Sequence, residues 1–200
     1  TKIITAHLGN GSSFAAVKDG KCVDTSMGLT PLAGIPMGTR CGDIDPAVVP
    51  YIMGKENLKP NEIDHIMNKE SGVLGVSGVS SDFRDLAEKA KAGNERAGLA
   101  LDIFVYQGKK IISSYAGALG GVDAIVFTAG IGENDKKTRR RMLEGLEFMG
   151  VELDNDKNEN FNGEAGLISK DDSKVKVFII PTNEELSIAL QTVDVLGLAK

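Results

Sequence analysis

Residues 2–25, KIITAHLGNGSSFAAVKDGKCVDT, hold three short apolar runs separated by two turn signals. Lys2–Ala6 is apolar and β-prone, and Gly9-Asn10-Gly11-Ser12 interrupts it. Ser13–Lys18 reads as a second strand. Asp19-Gly20 is a strong two-residue hairpin signal, because both residues accept positive φ. Cys22–Thr25 follows as a third strand, so the chain opens on a predicted antiparallel meander. Helical patterns and two further strand patterns come after it. The expectation is a mixed α/β fold rather than a simple alternating βα series.

Outward from the meander, Ser26–Ile44 is rich in Gly, Thr and Pro and has no helical or strand period. A loop of that length in a compact domain points to function. Its Met, Leu and Ile content argues against disorder. Asp45-Pro46 predicts a helix start, with Asp45 as N-cap. A second short helix is expected after Pro60, with Ile63, Ile66 and Met67 on one face. Val73–Val79 is small and apolar between turn signals. Ser81 is expected to cap a helix running from Asp82 to about Ala92. Asn94 opens a long helix to Ala118, stopped by Gly120-Gly121. Ala124–Thr128 reads as a buried strand, Ala129–Asn134 as a glycine-containing loop and Asp135–Met149 as a helix. Residues 151–173 read as surface loops and a hairpin, and Val175–Ile180 as a strand. Thr182 and Glu185 fit a capping box for a last helix over about 184–198.

The apolar fraction is 42%, the charged fraction 26% and the net charge −5, values of an ordinary globular domain. The acidic balance argues against nucleic acid or an anionic membrane as partner. It leaves ATP open, since Arg40, Arg84 and the Arg139-Arg140-Arg141 run are available to concentrate positive charge locally. No run approaches the ~18 apolar residues of a membrane span, and no secretory leader is visible. Cys22 and Cys41 form neither a disulfide framework nor a metal pair, which fits a reducing cytoplasm. The start at Thr1 in strand-like sequence suggests a piece of a longer protein.

Five segments carry chemistry. His7-Leu8-Gly9-Asn10-Gly11-Ser12 is a tight turn whose backbone N–H groups can converge on a phosphate; an ordinary Asn-Gly hairpin turn is the competing reading. Thr39-Arg40-Cys41-Gly42-Asp43 presents an arginine that can reach a transferring phosphoryl group, or a surface arginine paired with Asp43 or Asp45. Gly130-Ile131-Gly132-Glu133-Asn134 lies between a strand and a helix, where ligands bind at the carboxyl edge of a sheet. Neither a dinucleotide fingerprint nor a Walker A sequence is present. Pro181-Thr182-Asn183-Glu184-Glu185 can offer Glu184 to magnesium through water, or simply cap a helix. Asp82-Phe83-Arg84 reads on its own as a cap plus a buried aromatic. His65 and the run Arg139–Arg141 read as solvated helix faces.

Taken together, AHLGNGSSFAAV, DTSMGLTPLAGIPMGTRCGDIDP, FTAGIGEN and IPTNEEL resemble the acetate kinase (acetokinase) family, in its order and spacing and over nearly all 200 residues. The resemblance implies an RNase H-like fold, that of actin, sugar kinases and heat-shock chaperone ATPases, with a mixed sheet flanked by helices. It implies the reaction ATP plus acetate to ADP plus acetyl phosphate, with Mg2+. It also implies that residues 1–200 are the C-terminal, nucleotide-binding lobe. By the same resemblance His7, Leu8, Gly9, Asn10 and Gly11 form the phosphate loop, and Arg40 stabilises the transferring phosphoryl. Pro31 lines the acetate methyl pocket, and Asp82, Phe83 and Arg84 contact the nucleotide. Gly130, Ile131, Gly132, Glu133 and Asn134 form the adenosine loop, and Glu184 is the metal ligand. The family chain is about twice as long, so the catalytic Asp and most of the acetate pocket are expected elsewhere. The last helix is then expected to pack on the other lobe. A homodimer is expected through the C-terminal lobe. Small residues of the long helix, Gly98, Ala100 and Gly108, suit either that contact or packing within the lobe.

Overall fold

A computed structural model describes residues 1–197. The opening meander is present as β1 (Lys2–Leu8), β2 (Ser12–Lys18) and β3 (Lys21–Thr25). Asp19 and Gly20 both take positive φ, 50° and 78°, as the two-residue turn requires. After the long loop come α1 (Val48–Glu56), α2 (Pro60–His65), a π-helical turn (Ile66–Glu70) and α3 (Gly72–Ser77). Two helices follow, α4 (Phe83–Lys91) and the long α5 (Glu95–Leu119). Then β4 (Ala124–Thr128) leads directly into α6 (Ala129–Asn134) and α7 (Lys136–Leu143). The chain continues through α8 (Asn155–Glu159), β5 (Gly166–Leu167), β6 (Lys176–Ile179) and α9 (Glu184–Val195).

The strands form one mixed sheet in the order β3-β2-β1-β4-β6-β5. The β1–β2 and β2–β3 pairs are antiparallel, and β4 and β6 add in parallel beside β1. A meander extended on one side by parallel strands is the expected RNase H-like arrangement. Strand alternation buries Ile4, Ala6, Leu8, Phe14, Ala16, Ile125, Phe127, Val177 and Ile179 on one face. There α5 lays Ala97, Ala100, Leu101, Phe104, Val105, Ile112 and Tyr115 into the same core. Two of the small residues of α5 are used inside this lobe. Ala100 is buried, and at Gly108 a Cβ would come within 2.5 Å of the Met142 methyl.

Several expected boundaries move. The first helix begins at Val48, not after an Asp45 cap; the Asp45 carboxylate accepts instead from the Ala47 N–H (2.9 Å), an Asx turn ahead of the helix. Asp82, not Ser81, caps α4 by accepting from the Arg84 N–H. Asn183, not Thr182, caps α9 by accepting from the Leu186 N–H. The expected loop 129–134 is a short helix. The helix expected to reach Met149 ends at Leu143, because Gly145 takes φ +82°. The predicted end of the last helix at Leu198 lies outside the described residues. No helix among the described residues is long and apolar enough to cross a membrane.

Candidate nucleotide site

Parallel register assembles the site. His7 pairs with Thr128 across β1 and β4, so the turn after β1 and the start of α6 emerge side by side. A Cβ on Gly9 would lie 3.8 Å from the Ala129 methyl. β6 ends at the same edge, where the Ile180 N–H donates to the Phe127 carbonyl (3.0 Å), and this delivers the start of α9. This is the carboxyl edge at which open α/β sheets bind ligands.

A cleft of about 630 Å³ opens there, lined by Gly9, Asn10, Ser81, Asp82, Phe83, Arg84, Gly130, Ile131 and Asn134. Its volume falls within the ~300–1,000 Å³ of small-molecule sites. Three segments far apart in sequence thus meet in one cavity. Another cavity, about 460 Å³, lies by α7 and α8 and is lined by Arg140, Leu143, Glu144 and Lys170, away from the carboxyl edge of the sheet.

The β1–β2 turn is closed by local hydrogen bonds, and neither Gly9 nor Gly11 takes positive φ. The Gly9 N–H donates to the Gly11 carbonyl (3.0 Å) and the Ser12 hydroxyl to the Gly9 carbonyl (2.9 Å). Leu8 is wholly buried, so its contribution there is backbone alone. His7 points to the half-buried opposite sheet face and does not line the cleft. The long loop closes over the turn. Gly38 donates to the Asn10 carbonyl (3.0 Å), and a Cβ at Gly38 would sit 1.9 Å from Asn10 Oδ1, so a side chain there would displace that of Asn10. Arg40 then lies over the hairpin, with its Nη1 3.3 Å from where a Gly11 Cβ would be. Its guanidinium donates to the Pro31 carbonyl (3.2 Å) and the Met37 sulfur (3.4 Å). Asp43 and Asp45 are engaged by backbone amides of Gly34 and Ala47, and Arg40 makes no ion pair among the described residues. The paired-surface-arginine reading is therefore not what the fold adopts.

On the opposite wall Asp82 is bound twice by Arg84, side chain (2.7 and 3.1 Å) and backbone N–H (2.8 Å). The Arg84 side chain first, and then its N–H, hold the Asp82 carboxyl down to about 2. Phe83 lines the cleft, but its ring is 7% exposed and packs edge-on against Phe104 at 4.6 Å. It is core first and cleft wall second.

α6 supplies the third wall. Ala129 takes φ +64°, a left-handed conformation costing a β-carbon residue about 1–3 kcal/mol, held only where neighbours enforce it. Gly130 faces open space, with nothing within 4 Å of a built Cβ. Asn134 donates to the Gly130 carbonyl (2.9 Å) and closes the helix on itself. Two of the five expected loop residues turn elsewhere. Gly132 is buried beneath the wall, and the Glu133 carboxylate accepts from the Thr182 N–H (2.9 Å) and hydroxyl (3.2 Å). That bond ties α6 to the approach to α9.

The expectation of a solvated face at Arg139–Arg141 is overturned at Arg139, which is 1% exposed. Its guanidinium donates to the carbonyls of Gly132 (2.9 Å), Glu133 (2.8 Å) and Asn158 (3.1 Å) and to Asn158 Oδ1 (2.8 Å). Burial lowers its pKa to about 10, still protonated at neutral pH. Arg139 therefore caps the carboxyl end of α6, which orients the wall. Ser81, expected only to cap a helix, does line the cleft. Pro31 and Glu184 do not line the cleft. Pro31 is exposed beside Arg40, and Glu184 is exposed in the first turn of α9. Among the described residues no cluster of three or more His, Cys, Asp or Glu forms a metal cage.

The family model described as "Acetokinase family" matches residues 1–190. An acetate kinase of Methanosarcina barkeri is 62% identical over 195 residues, 98% of this chain and 48% of that protein. The crystal structure of Porphyromonas gingivalis acetate kinase superposes with a TM-score of 0.94 at 50% identity, over 98% of this chain and 49% of that one. A propionate kinase from Francisella tularensis subsp. tularensis SCHU S4 gives 0.86 at 43% identity, over 94% and 47%. The chain spans about half the length of the relatives it matches.

Proposed function

The chain belongs to the acetokinase family, and from that premise we propose that residues 1–200 form the C-terminal, nucleotide-binding lobe of a kinase that transfers the terminal phosphoryl of ATP to acetate. The observation that carries this reading is the cleft shared by the β1–β2 turn, Asp82–Arg84 and α6. In it, the backbone N–H groups of Asn10 and Gly11 hold the phosphate oxygens, the Gly9 N–H being taken by the Gly11 carbonyl. Asp82, kept ionised, accepts from sugar hydroxyls, while Gly130, Ile131 and Asn134 bound the adenosine. Arg40, over Gly11, stabilises charge on the group in transfer; such transfer depends mainly on positioning and electrostatics. Pro31, whose carbonyl braces Arg40, contributes to the pocket for the acetate methyl.

A carboxylate in the first turn of α9 suits Mg2+, which is commonly held by one or two carboxylates with phosphates and water completing its shell. Glu184 would hold it, and the ion would neutralise phosphate charge. α9 buries no residue, and Leu186, Ile188 and Leu190 are exposed, which supports packing against a further lobe. The free thiols of Cys22 and Cys41 suit the cytosol. We read the assembly as a homodimer; sedimentation of a strict monomer at high concentration would remove that part. Propionate is the second substrate reading, supported by the likeness to a propionate kinase.

The test is to give the 200-residue chain Mg2+, ATP and acetate. Saturable nucleotide binding without acetyl phosphate above a vector-only control is expected, since half of the constellation cannot position the transfer. Clear acetyl phosphate formation by these residues alone overturns the division of labour.

A further inference from the structure

The loop that presents Arg40 has no secondary structure of its own, yet both neighbours of Arg40 are tied to one rare feature. Asn68 O accepts from the Thr39 hydroxyl (2.9 Å) and Met67 O from the Cys41 N–H (2.9 Å). Thr39 O in turn accepts from the Ser71 N–H (2.9 Å). Asn68 and Met67 belong to the π-helical turn Ile66–Glu70, whose Ile66 carbonyl is taken by the Ser71 hydroxyl (2.8 Å). Three consecutive carbonyls of that turn thus accept from outside the usual helical ladder. Wide π turns of this kind recur at functional sites.

The bracket continues into α3. Gly72 takes φ +60°, and a Cβ there would lie 2.1 Å from the Met37 carbonyl and 2.7 Å from the Arg40 carbonyl. The Val73 and Leu74 N–H groups donate to Met37 O (2.9 Å) and Gly38 O (3.0 Å). Among the described residues no carboxylate pairs with the Arg40 guanidinium, so its aim comes from this backbone clamp together with the Pro31 carbonyl and the Met37 sulfur.

We propose that Thr39 is a positioning residue for Arg40, acting through its hydroxyl bond to the π turn Ile66–Glu70. The inference rests on the reading of Arg40 as the cation on the terminal phosphoryl. A cation stabilises such charge only when held in place beforehand, and small misplacements are costly.

The experiment titrates the chain, its Thr39→Val and Thr39→Ser variants and Arg40→Ala with ATP and with AMP, and records thermal melting of each. Thr39→Val removes the donor at nearly constant volume. It is expected to lower the ATP-over-AMP preference about tenfold, the scale of one lost hydrogen bond, with AMP affinity and melting temperature little changed. Thr39→Ser keeps the hydroxyl and is expected to restore the preference. Deletion of exposed Lys69, which returns the π turn to α spacing, is expected to give the same ATP-selective loss and serves if Thr39→Val does not fold. If Arg40→Ala collapses the preference and Thr39→Val does not, the positioning role is overturned and the Arg40 reading stands. If Arg40→Ala leaves the preference intact, the reading of Arg40 itself fails, and this inference with it. An equal loss of both ligands with a lowered melting temperature would show a merely structural threonine and also overturn the proposal.

Discussion

Replacing Arg139 with Met should both destabilise the chain and loosen the α6 wall of the cleft. The side chain is almost fully buried and makes four hydrogen bonds, three of them to backbone carbonyls. Met fills similar volume but leaves those acceptors dry. Bonds to a charged donor are worth roughly 1.5–3 kcal/mol each, and desolvation of the guanidinium offsets much of the sum. Breaking such a buried network typically costs about 3–5 kcal/mol, a fifth or more of the ~5–15 kcal/mol of a whole domain. At roughly 2–4 °C per kcal/mol for a chain of this size, melting should fall by about 10 °C. The carboxyl end of α6 loses its cap, so the left-handed Ala129 is no longer enforced and the wall relaxes. ATP affinity should therefore fall about tenfold or more at 15 °C, where the variant is still folded, since one to two lost constraints of hydrogen-bond size suffice. Arg139→Lys, with one point charge for a planar fork, should fall between. Scanning calorimetry and ATP titration of the three proteins decide it. A melting shift under about 2 °C would refute the energetic argument, and unchanged ATP affinity in a variant with lowered melting would refute the positioning argument.

Three further outcomes follow from the same geometry. Gly130→Val adds a side chain to open cleft space at a residue without positive φ. It should cut ATP affinity at least about tenfold while leaving melting within roughly 2 °C, as expected of a surface change; a loss of stability with unaltered affinity would place Gly130 elsewhere. Glu133→Ala removes the acceptor for Thr182, so limited proteolysis within residues 180–184 should speed up severalfold while cleavage elsewhere does not. Unchanged cleavage there would show that this bond does not hold the approach to α9. The Asp82 carboxyl titrates near 2, below its ordinary 3.8, because Arg84 stabilises its charged form. Its capping contribution is thus complete above the ordinary value and is lost as the pH falls from there through about 2. Carboxyl NMR shifts should report a midpoint near 2 that moves up in Arg84→Ala; an ordinary midpoint in the parent contradicts the pairing.

The meander was legible because Asp19-Gly20 and the apolar runs of β1 and β2 are local signals, and Asp82-Phe83-Arg84 keeps the cap and buried aromatic that its residues predict. The misreadings share a cause, which is that the deciding contact is distant. Arg139 sits in a run of three arginines, and what buries it is Asn158, nineteen residues on. Two glycines made α6 look like a loop, yet Arg139 caps its far end. Thr182 fits a capping box, but Glu133 on another element claims it, and the cap passes to Asn183. The alternation of β1 that buries Leu8 places His7 on the half-buried opposite face of the sheet.

The central claim is that the three segments form one nucleotide cleft. Calorimetric titration of the 200-residue chain with ATP and Mg2+ tests it most directly. The account predicts saturable binding that Asn134→Ala weakens. A folded chain that takes up no ATP, or binds it equally well after Asn134→Ala, contradicts it.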